Sequence, residues 1–270
     1  MSNISKSIIP EKSQERYYEL AKIKNRWGTG LLKLTPDFIT EKFNNGEVGK
    51  MLEVGCGLAE ILKYIPEDIE YCGIDPVEYA IEKCKKEYPQ RNFLIGRAEK
   101  LPFGDNVFDL VLSIRALEML EDPRAGLSEM ARVVRPGGFV ILEAPNFELP
   151  WSRVRSFRHY GKIDKVALRI KRFWVLFLRN FGILSFRTIP QNFSEATGKW
   201  ETGDDDAKYL TSAYEVAQFY KKANFKIIYY YRRQFPNNSF KNLIKNLVLK
   251  IPSLKYAGNN IFFIFQKYDK

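Results

Sequence analysis

Met51-Leu-Glu-Val-Gly-Cys-Gly-Leu-Ala59 is the stretch that decides the fold. Met51–Val54 has the apolar, strand-forming character of a buried strand and runs into Gly55-x-Gly57. A helix is expected directly after it, over Leu58–Ile65, stopping before Pro66. Glycines let the backbone turn tightly and leave room for a ligand against the peptide groups. A helix start there offers unpaired N–H groups and the positive end of a dipole to a carboxylate or phosphate. By itself the Gly-x-Gly pair fits a purely structural turn equally well. One strand outward, Glu70–Ile74 leads to Asp75, twenty residues beyond Gly55. An acid at that place faces the same crevice and can accept two hydrogen bonds from a ribose. The spacing suits dinucleotides and other adenosyl ligands alike. A dinucleotide fingerprint wants a third glycine where this chain has Glu60, whose carboxylate repels a pyrophosphate. A ligand with an amino-acid end and no phosphate suits the turn better.

Further out, short apolar runs alternate with helical stretches from about residue 50 to 145, the pattern of a parallel sheet with crossover helices. Asp75-Pro76 is expected to cap a helix running to Tyr88, with Pro76 at its first position. Asn92–Ile95 and Val107–Ser113 read as strands. Asp122-Pro123 opens another helix, which Pro136-Gly137-Gly138 is expected to end before a strand over Phe139–Leu142. Upstream, Thr35-Pro36 is expected to open a short helix closed by Gly46. Downstream, Ser212-Ala-Tyr-Glu215 has the form of a capping box for a helix to Ala223, and Phe225–Tyr231 and Ile261–Tyr268 read as strands.

Six motifs then follow in order: Glu53-Val-Gly-Cys-Gly57, Gly73-Ile-Asp75, Gly96-Arg-Ala-Glu-Lys-Leu-Pro-Phe103, Asp105-Asn-Val-Phe-Asp-Leu-Val-Leu-Ser113, Leu117-Glu-Met-Leu-Glu-Asp-Pro123 and Ala131-Arg-Val-Val-Arg-Pro-Gly-Gly138. This order resembles the class I S-adenosylmethionine-dependent methyltransferases, type 11 group, which includes ubiquinone and menaquinone biosynthesis enzymes. The resemblance implies a Rossmann-like α/β fold: seven strands, mostly parallel with the last antiparallel, helices on both faces, and a helical lid insertion. It implies S-adenosyl-L-methionine as cofactor. Gly55, Cys56 and Gly57 would cradle its methionine end, with Glu53 fixing that loop or the cofactor's ammonium. Asp75 would bind the ribose, Pro76 and Val77 would lie against the adenine, Ala98 and Glu99 match the adenine-side loop, and Ser113 and Ile114 would pass under the sulfonium. Two positions depart from the family. Arg97 stands where an Asp or Asn usually accepts from the adenine amine, and a guanidinium has no acceptor. Met119 stands where a histidine is frequent.

The resemblance implies in-line methyl transfer to O, N, C or S, for which alignment and desolvation supply much of the rate. A hydroxyl acceptor also needs a base, and the two candidates are Glu118, after the fourth strand, and His159, the chain's one histidine. Glu118 reads equally as a surface or structural acid, and His159 as a surface or phosphate-contacting group. Tyr17, Tyr18 and Trp27 lie in a leading segment that either covers the cofactor or packs as core. Asp204-Asp-Asp206 reads as a solvated loop rather than a magnesium site, and no resident metal is expected. Three cysteines with no Cys-x-x-Cys pair fit neither a disulfide scaffold nor a zinc site and suit a reducing compartment. No signal-peptide pattern and no run of about 18 apolar residues is present, so a cytoplasmic protein is expected.

The net charge of +11 is unevenly placed: Trp151 to Arg187 holds ten Lys/Arg against one acid, Asp164. Drawn as a helix, Lys162–Phe181 collects Lys162, Lys165, Arg169, Arg172 and Arg179 on one side and Ile163, Ala167, Ile170, Trp174, Phe177, Leu178 and Phe181 on the other, with Leu168, Lys171 and Leu176 breaking the separation. Such a helix reads as peripheral on an anionic membrane, on its inner face, or as a lid packed by its apolar side on the core. Ser239–Ile251 shows a second amphipathic pattern. Together they favour a small-molecule acceptor that is a lipid or lipid-linked, over a soluble anionic glycan or nucleotide-sugar. Nucleic acid is disfavoured, since no RNA-binding module or basic tail is visible. A nicotinamide oxidoreductase and a lapsed enzyme that only binds the cofactor are the competing classes. The expected organisation is 1–49, helices covering the cofactor; 50–145, the cofactor-binding core; 146–211, a basic helical lid that binds the acceptor; and 212–270, completion of the sheet.

Overall fold

A computed structural model describes residues 30–146, 211–231 and 260–269, together with positions 14, 15, 18, 163, 166, 167, 169–171, 174, 178, 250, 255 and 256. In chain order the elements are α1 (Gly30–Asn44), β1 (Lys50–Val54), β2 (Glu70–Asp75), α2 (Glu78–Glu87), β3 (Asn92–Ile95), β4 (Phe108–Ile114), α3 (Pro123–Val133), β5 (Val134–Pro145), α4 (Ala213–Lys222), β6 (Phe225–Tyr230) and β7 (Asn260–Lys267). The strands form one seven-stranded sheet in the order β3-β2-β1-β4-β5-β7-β6. The first five are parallel, and β7 runs antiparallel to both its neighbours, β5 and β6.

Both faces of the sheet are covered, which is why its central strands are almost continuously apolar. On one face Leu52, Val54, Val111, Val140 and Phe265 pack with Leu127 and Met130 of α3 and Val216 and Tyr220 of α4. On the other, Met51, Leu110, Leu112, Ile141 and Ile264 pack with Ile39 of α1 and Ile81 and Cys84 of α2. The alternation of a strand's side chains between faces separates these two sets.

Charged residues within the six motifs fasten the frame. Asp109 accepts hydrogen bonds from the Gly49 and Lys50 amides, each at 2.7 Å, and from Arg135 Nε at 2.5 Å. Arg132 donates to both Glu129 oxygens, to Asp105 and to the carbonyls of Leu101 and Phe103. These bonds tie the loop before β4 to α3.

The structure changes several expected boundaries. No α-helix fills Leu58–Ile65; a single 3-10 turn, Glu60–Lys63, stands there. Ala59 takes a left-handed backbone conformation (φ 51°), and Pro66 follows too closely for a helix to develop. The helix after β2 starts at Glu78, so Pro76 precedes it rather than occupying its first position. The first helix begins at Gly30 and carries Pro36 in its interior. Thr35 and Pro36 are both buried, so tertiary packing offsets the hydrogen bond that proline cannot donate. α3 ends at Val133, before Pro136-Gly137-Gly138, which lies inside β5. There the pairing with β4 shifts register between Phe108 and Leu110, and Gly137 takes φ +75°. Ser212 caps α4, its hydroxyl accepting from the Glu215 amide. Gly46, at φ +73°, closes α1. Ser239–Ile251, apart from a turn at Lys250, and His159, Tyr17, Trp27 and Asp204–Asp206 lie outside the described residues.

Candidate active site

The strand order reverses between β1 and β4, and the carboxyl ends of β1, β2, β4 and β5 meet at that point. In open α/β sheets this is where ligands bind. The turn after β1 is built there by close packing. The Gly55 and Cys56 amides both donate to the Ile74 carbonyl of β2, at 2.8 and 3.1 Å. Gly55 has φ +75°, and a Cβ on it would collide with the Cβ of Ala116 in the segment after β4. Gly57 has φ +50°, and a Cβ there would stand 3.3 Å from the Tyr18 ring. Both glycines are therefore required by the backbone and by what approaches it.

Asp75 closes the turn from β2. It is buried, and accepts from the Gly57 and Val77 amides at 2.9 Å each and from the Tyr18 hydroxyl at 3.3 Å. Burial pushes its pKa upward against the pull of these three hydrogen bonds. A carboxylate offers about four acceptor directions. Two hydrogen bonds from a ribose diol therefore need the direction Tyr18 holds and the remaining one. Tyr18 also stacks on Tyr79, at 6.2 Å between ring centroids. Tyr18 is buried, packing with Val77 and Ala80 beside the turn.

Glu53 lies beneath the loop, buried, with the Tyr71 hydroxyl donating to Oε2 at 2.5 Å. Burial, with the nearby Asp75 charge adding, raises its pKa to about 8. Cys56 and Cys84 both direct their thiols at the Gly57 carbonyl, at 3.8 and 3.3 Å, and burial raises the Cys56 thiol pKa. Val77 is buried beside Tyr18 and Ala80. Glu53, Gly55, Cys56, Gly57, Asp75, Pro76 and Val77 thus come together at one corner.

Ala98 and Glu99 face the start of α3. Glu99 Oε1 accepts from the Glu121 and Asp122 amides at 2.9 and 3.4 Å, so this acid organises the loop before α3. Arg97 reaches Glu99 at 3.5 Å and Glu121 at 3.0 Å. Its departure from the family thereby has a structural partner set. At the end of β4, Ser113 and Ile114 are buried and Ser113 Oγ makes no hydrogen bond. Glu118, in the 3-10 turn Leu117–Met119, is buried rather than on a helix surface.

Three contributors were not read from the sequence. Tyr71 partners Glu53 from the neighbouring strand. Arg115, at φ +57°, donates its amide to the Glu143 carbonyl and sets its guanidinium 3.2 Å from the buried Glu143 carboxylate. Glu143 had a signal: an acid inside the apolar run Phe139-Val-Ile-Leu-Glu-Ala. Arg115 had none, because its left-handed backbone is not written in its residue type.

The corner fits an adenosyl ligand with an amino-acid end. It has a glycine turn that a Cβ would fill, a ribose-height carboxylate, an acid under the loop and an orphan hydroxyl at the end of β4. No phosphate-binding helix start is present after the turn. Among the described residues no group of three His, Cys, Asp or Glu is placed to hold a metal ion.

Known proteins agree. Residues 52–142 match a family described as a methyltransferase domain. The chain is 38% identical over 95 residues to the phthiotriol/phenolphthiotriol dimycocerosates methyltransferase of Mycobacterium tuberculosis, covering 33% of this chain and 35% of that one. It is 37% identical over 121 residues to the demethylmenaquinone methyltransferase of Lysinibacillus sphaericus, covering 42% and 51%. The match thus spans between about a third and a half of these relatives' length. A solved S-adenosylmethionine-dependent methyltransferase from Mesorhizobium loti has the same fold, with a TM-score of 0.50 at 14% identity over 82% of this chain and 93% of that one. With its glycine turn, its acid after β2 and its five parallel strands, the stretch from 52 to 142 matches the class I S-adenosylmethionine-dependent methyltransferase domains, type 11 group.

Proposed function

We propose that the protein transfers the methyl group of S-adenosylmethionine to a lipid or lipid-linked small molecule. The observation that carries methyl transfer is the corner formed by Gly55, Gly57 and Asp75, where the turn and the carboxylate hydrogen-bond each other directly at 2.9 Å. When bound, S-adenosylmethionine supplies an electrophilic methyl group on a sulfonium. The chain's own residues hold and shield it. Asp75 accepts from the ribose, the loop above Glu53 receives the amino-acid end, and Tyr18 and Val77 exclude water. Ser113 and Ile114 floor the place where the methyl group faces the acceptor. Glu118, buried just beyond β4, takes the proton of a hydroxyl acceptor, while an acceptor already ionised needs no base.

The apolar class of acceptor is supported by the aromatic and basic insertion after β5, and two relatives are named for a dimycocerosate and a demethylmenaquinone acceptor. A soluble anionic glycan or nucleotide-sugar is the second reading, favoured by the ten basic residues between Trp151 and Arg187. The test incubates the purified protein with isotopically labelled S-adenosylmethionine and separated lipid and polar extracts. Label in a lipid fraction supports the first reading and label in a polar fraction the second. Cofactor binding without label transfer to any fraction refutes catalysis.

A further inference from the structure

We propose that the helical residues 163, 166, 167, 169–171, 174 and 178 dock the protein on an anionic lipid bilayer, apolar side inward. Positions 163, 166, 167, 169, 170, 171, 174 and 178 are all helical. Ile163 is 84% exposed, and Val166, Ile170 and Trp174 are each more than half exposed. At about 100° per residue, Ile163, Ala167, Ile170 and Trp174 fall within a narrow stripe, with Val166 and Leu178 at its margins. This stripe is open to solvent, as are Arg169 and Lys171.

Charge complementarity identifies the occupant. Arg169 and Lys171 are exposed and flank the stripe on opposite sides. Lys162, Lys165, Arg172 and Arg179 complete the cationic side in the sequence pattern, and Asp164 is the one acid between Trp151 and Arg187. An aliphatic stripe with a tryptophan, bordered by cations whose stems can reach outward, matches the boundary between acyl chains and anionic headgroups. A nucleic acid would use the cations and leave the aliphatic stripe in water. No helix among the described residues is long and apolar enough to cross a membrane, so the attachment is peripheral for this segment.

The test is sedimentation of the full chain with vesicles of phosphatidylcholine alone or mixed with phosphatidylglycerol. Binding to the anionic vesicles at low salt, and its loss at about 1 M salt, where the Debye length is near 3 Å, is expected. Each cation at such a surface contributes roughly a fivefold gain in partitioning, so reversing two in Arg169→Glu/Lys171→Glu lowers binding by about 25-fold or more. Ile163→Ser/Ile170→Ser, at positions already exposed, lowers it without altering unfolding temperature. A vesicle-induced blue shift of tryptophan emission is expected in the wild type and is reduced in Trp174→Phe. S-adenosylmethionine affinity, measured on the same variants, is unchanged, so failure of docking and failure of the proposed chemistry are separable. Absence of binding to anionic vesicles at low salt overturns the proposal. So does retention on a nucleic acid without vesicle binding, or a dimer in solution that Ile163→Ser/Ile170→Ser dissociates.

Discussion

Glu53→Gln isolates the effect of one buried proton on this fold. The Glu53 carboxyl is enclosed between β1 and β2, with Tyr71 as its hydrogen-bond donor. Burial, and then the charge of Asp75, raise its pKa from the ordinary 4.5 to about 8. The unfolded chain ionises near the ordinary value, so folding takes up a proton between the two. The stability tied to this group is complete below the unfolded pKa and is lost as pH rises through the folded one. Asp75 is raised as well and acts in the same direction. Each tenfold change in ionisation constant is worth about 1.4 kcal/mol, which sets a ceiling of about 5 kcal/mol over this span. With an effective interior dielectric near 20, a loss of roughly 2–3 kcal/mol is expected between about pH 5 and pH 9. Glutamine keeps the shape and an acceptor for Tyr71 and does not titrate. Urea unfolding is measured at several pH values across this window. The wild type should lose stability with rising pH more steeply than the variant, which keeps only the Asp75 contribution, so that the difference between them shifts toward the variant at the alkaline end. Curves for wild type and variant that run parallel across the window refute the assignment of a buried, protonated Glu53.

Three further outcomes follow from the same corner. Asp75→Ala removes the ribose acceptor and leaves the Gly57 and Val77 amides unpaired, so calorimetry should show S-adenosylmethionine affinity reduced by about 1–3 kcal/mol together with a lower melting temperature; a folded variant that binds like the wild type contradicts the role given to Asp75. Gly55→Ala combines a left-handed backbone penalty of about 1–2 kcal/mol with the Ala116 collision. Adding Ala116→Gly should recover only the collision, and full recovery of stability would mean the backbone conformation costs nothing. Tyr18→Phe frees one acceptor direction on Asp75. Cofactor affinity should rise by up to about tenfold, the worth of one hydrogen bond, and a fall would show that the hydroxyl serves the bound state.

The parallel core was legible because its signals are local. Asn92–Ile95 is a strand at the bounds its residues suggest, and Ser212 caps α4 through its own side chain. Boundaries failed where packing overrode a local preference. Pro36 suggests a helix start, yet α1 passes through it because Thr35 and Pro36 are buried. Pro136-Gly137-Gly138 suggests a helix stop, yet the chain enters β5 at Val134 because that residue pairs with Phe108. The helix expected after Gly57 is absent because Ala59 turns left-handed, a conformation its side chain does not announce.

The sequence by itself determined most of the strand-and-helix order, the glycine turn and the acid twenty residues later, which suit any adenosyl ligand, and Glu60, which disfavours a dinucleotide. Those features depend on residue type and spacing along one stretch of chain. The sheet order decided the rest. It set Ala116 against Gly55, which explains why that position excludes a side chain. It brought Tyr18 onto Asp75 across 57 residues and Tyr71 onto Glu53 across 18. It gave Arg97 its acidic partners. Contacts between residues far apart in the chain exist only once the strands take their places, so no periodicity or motif records them.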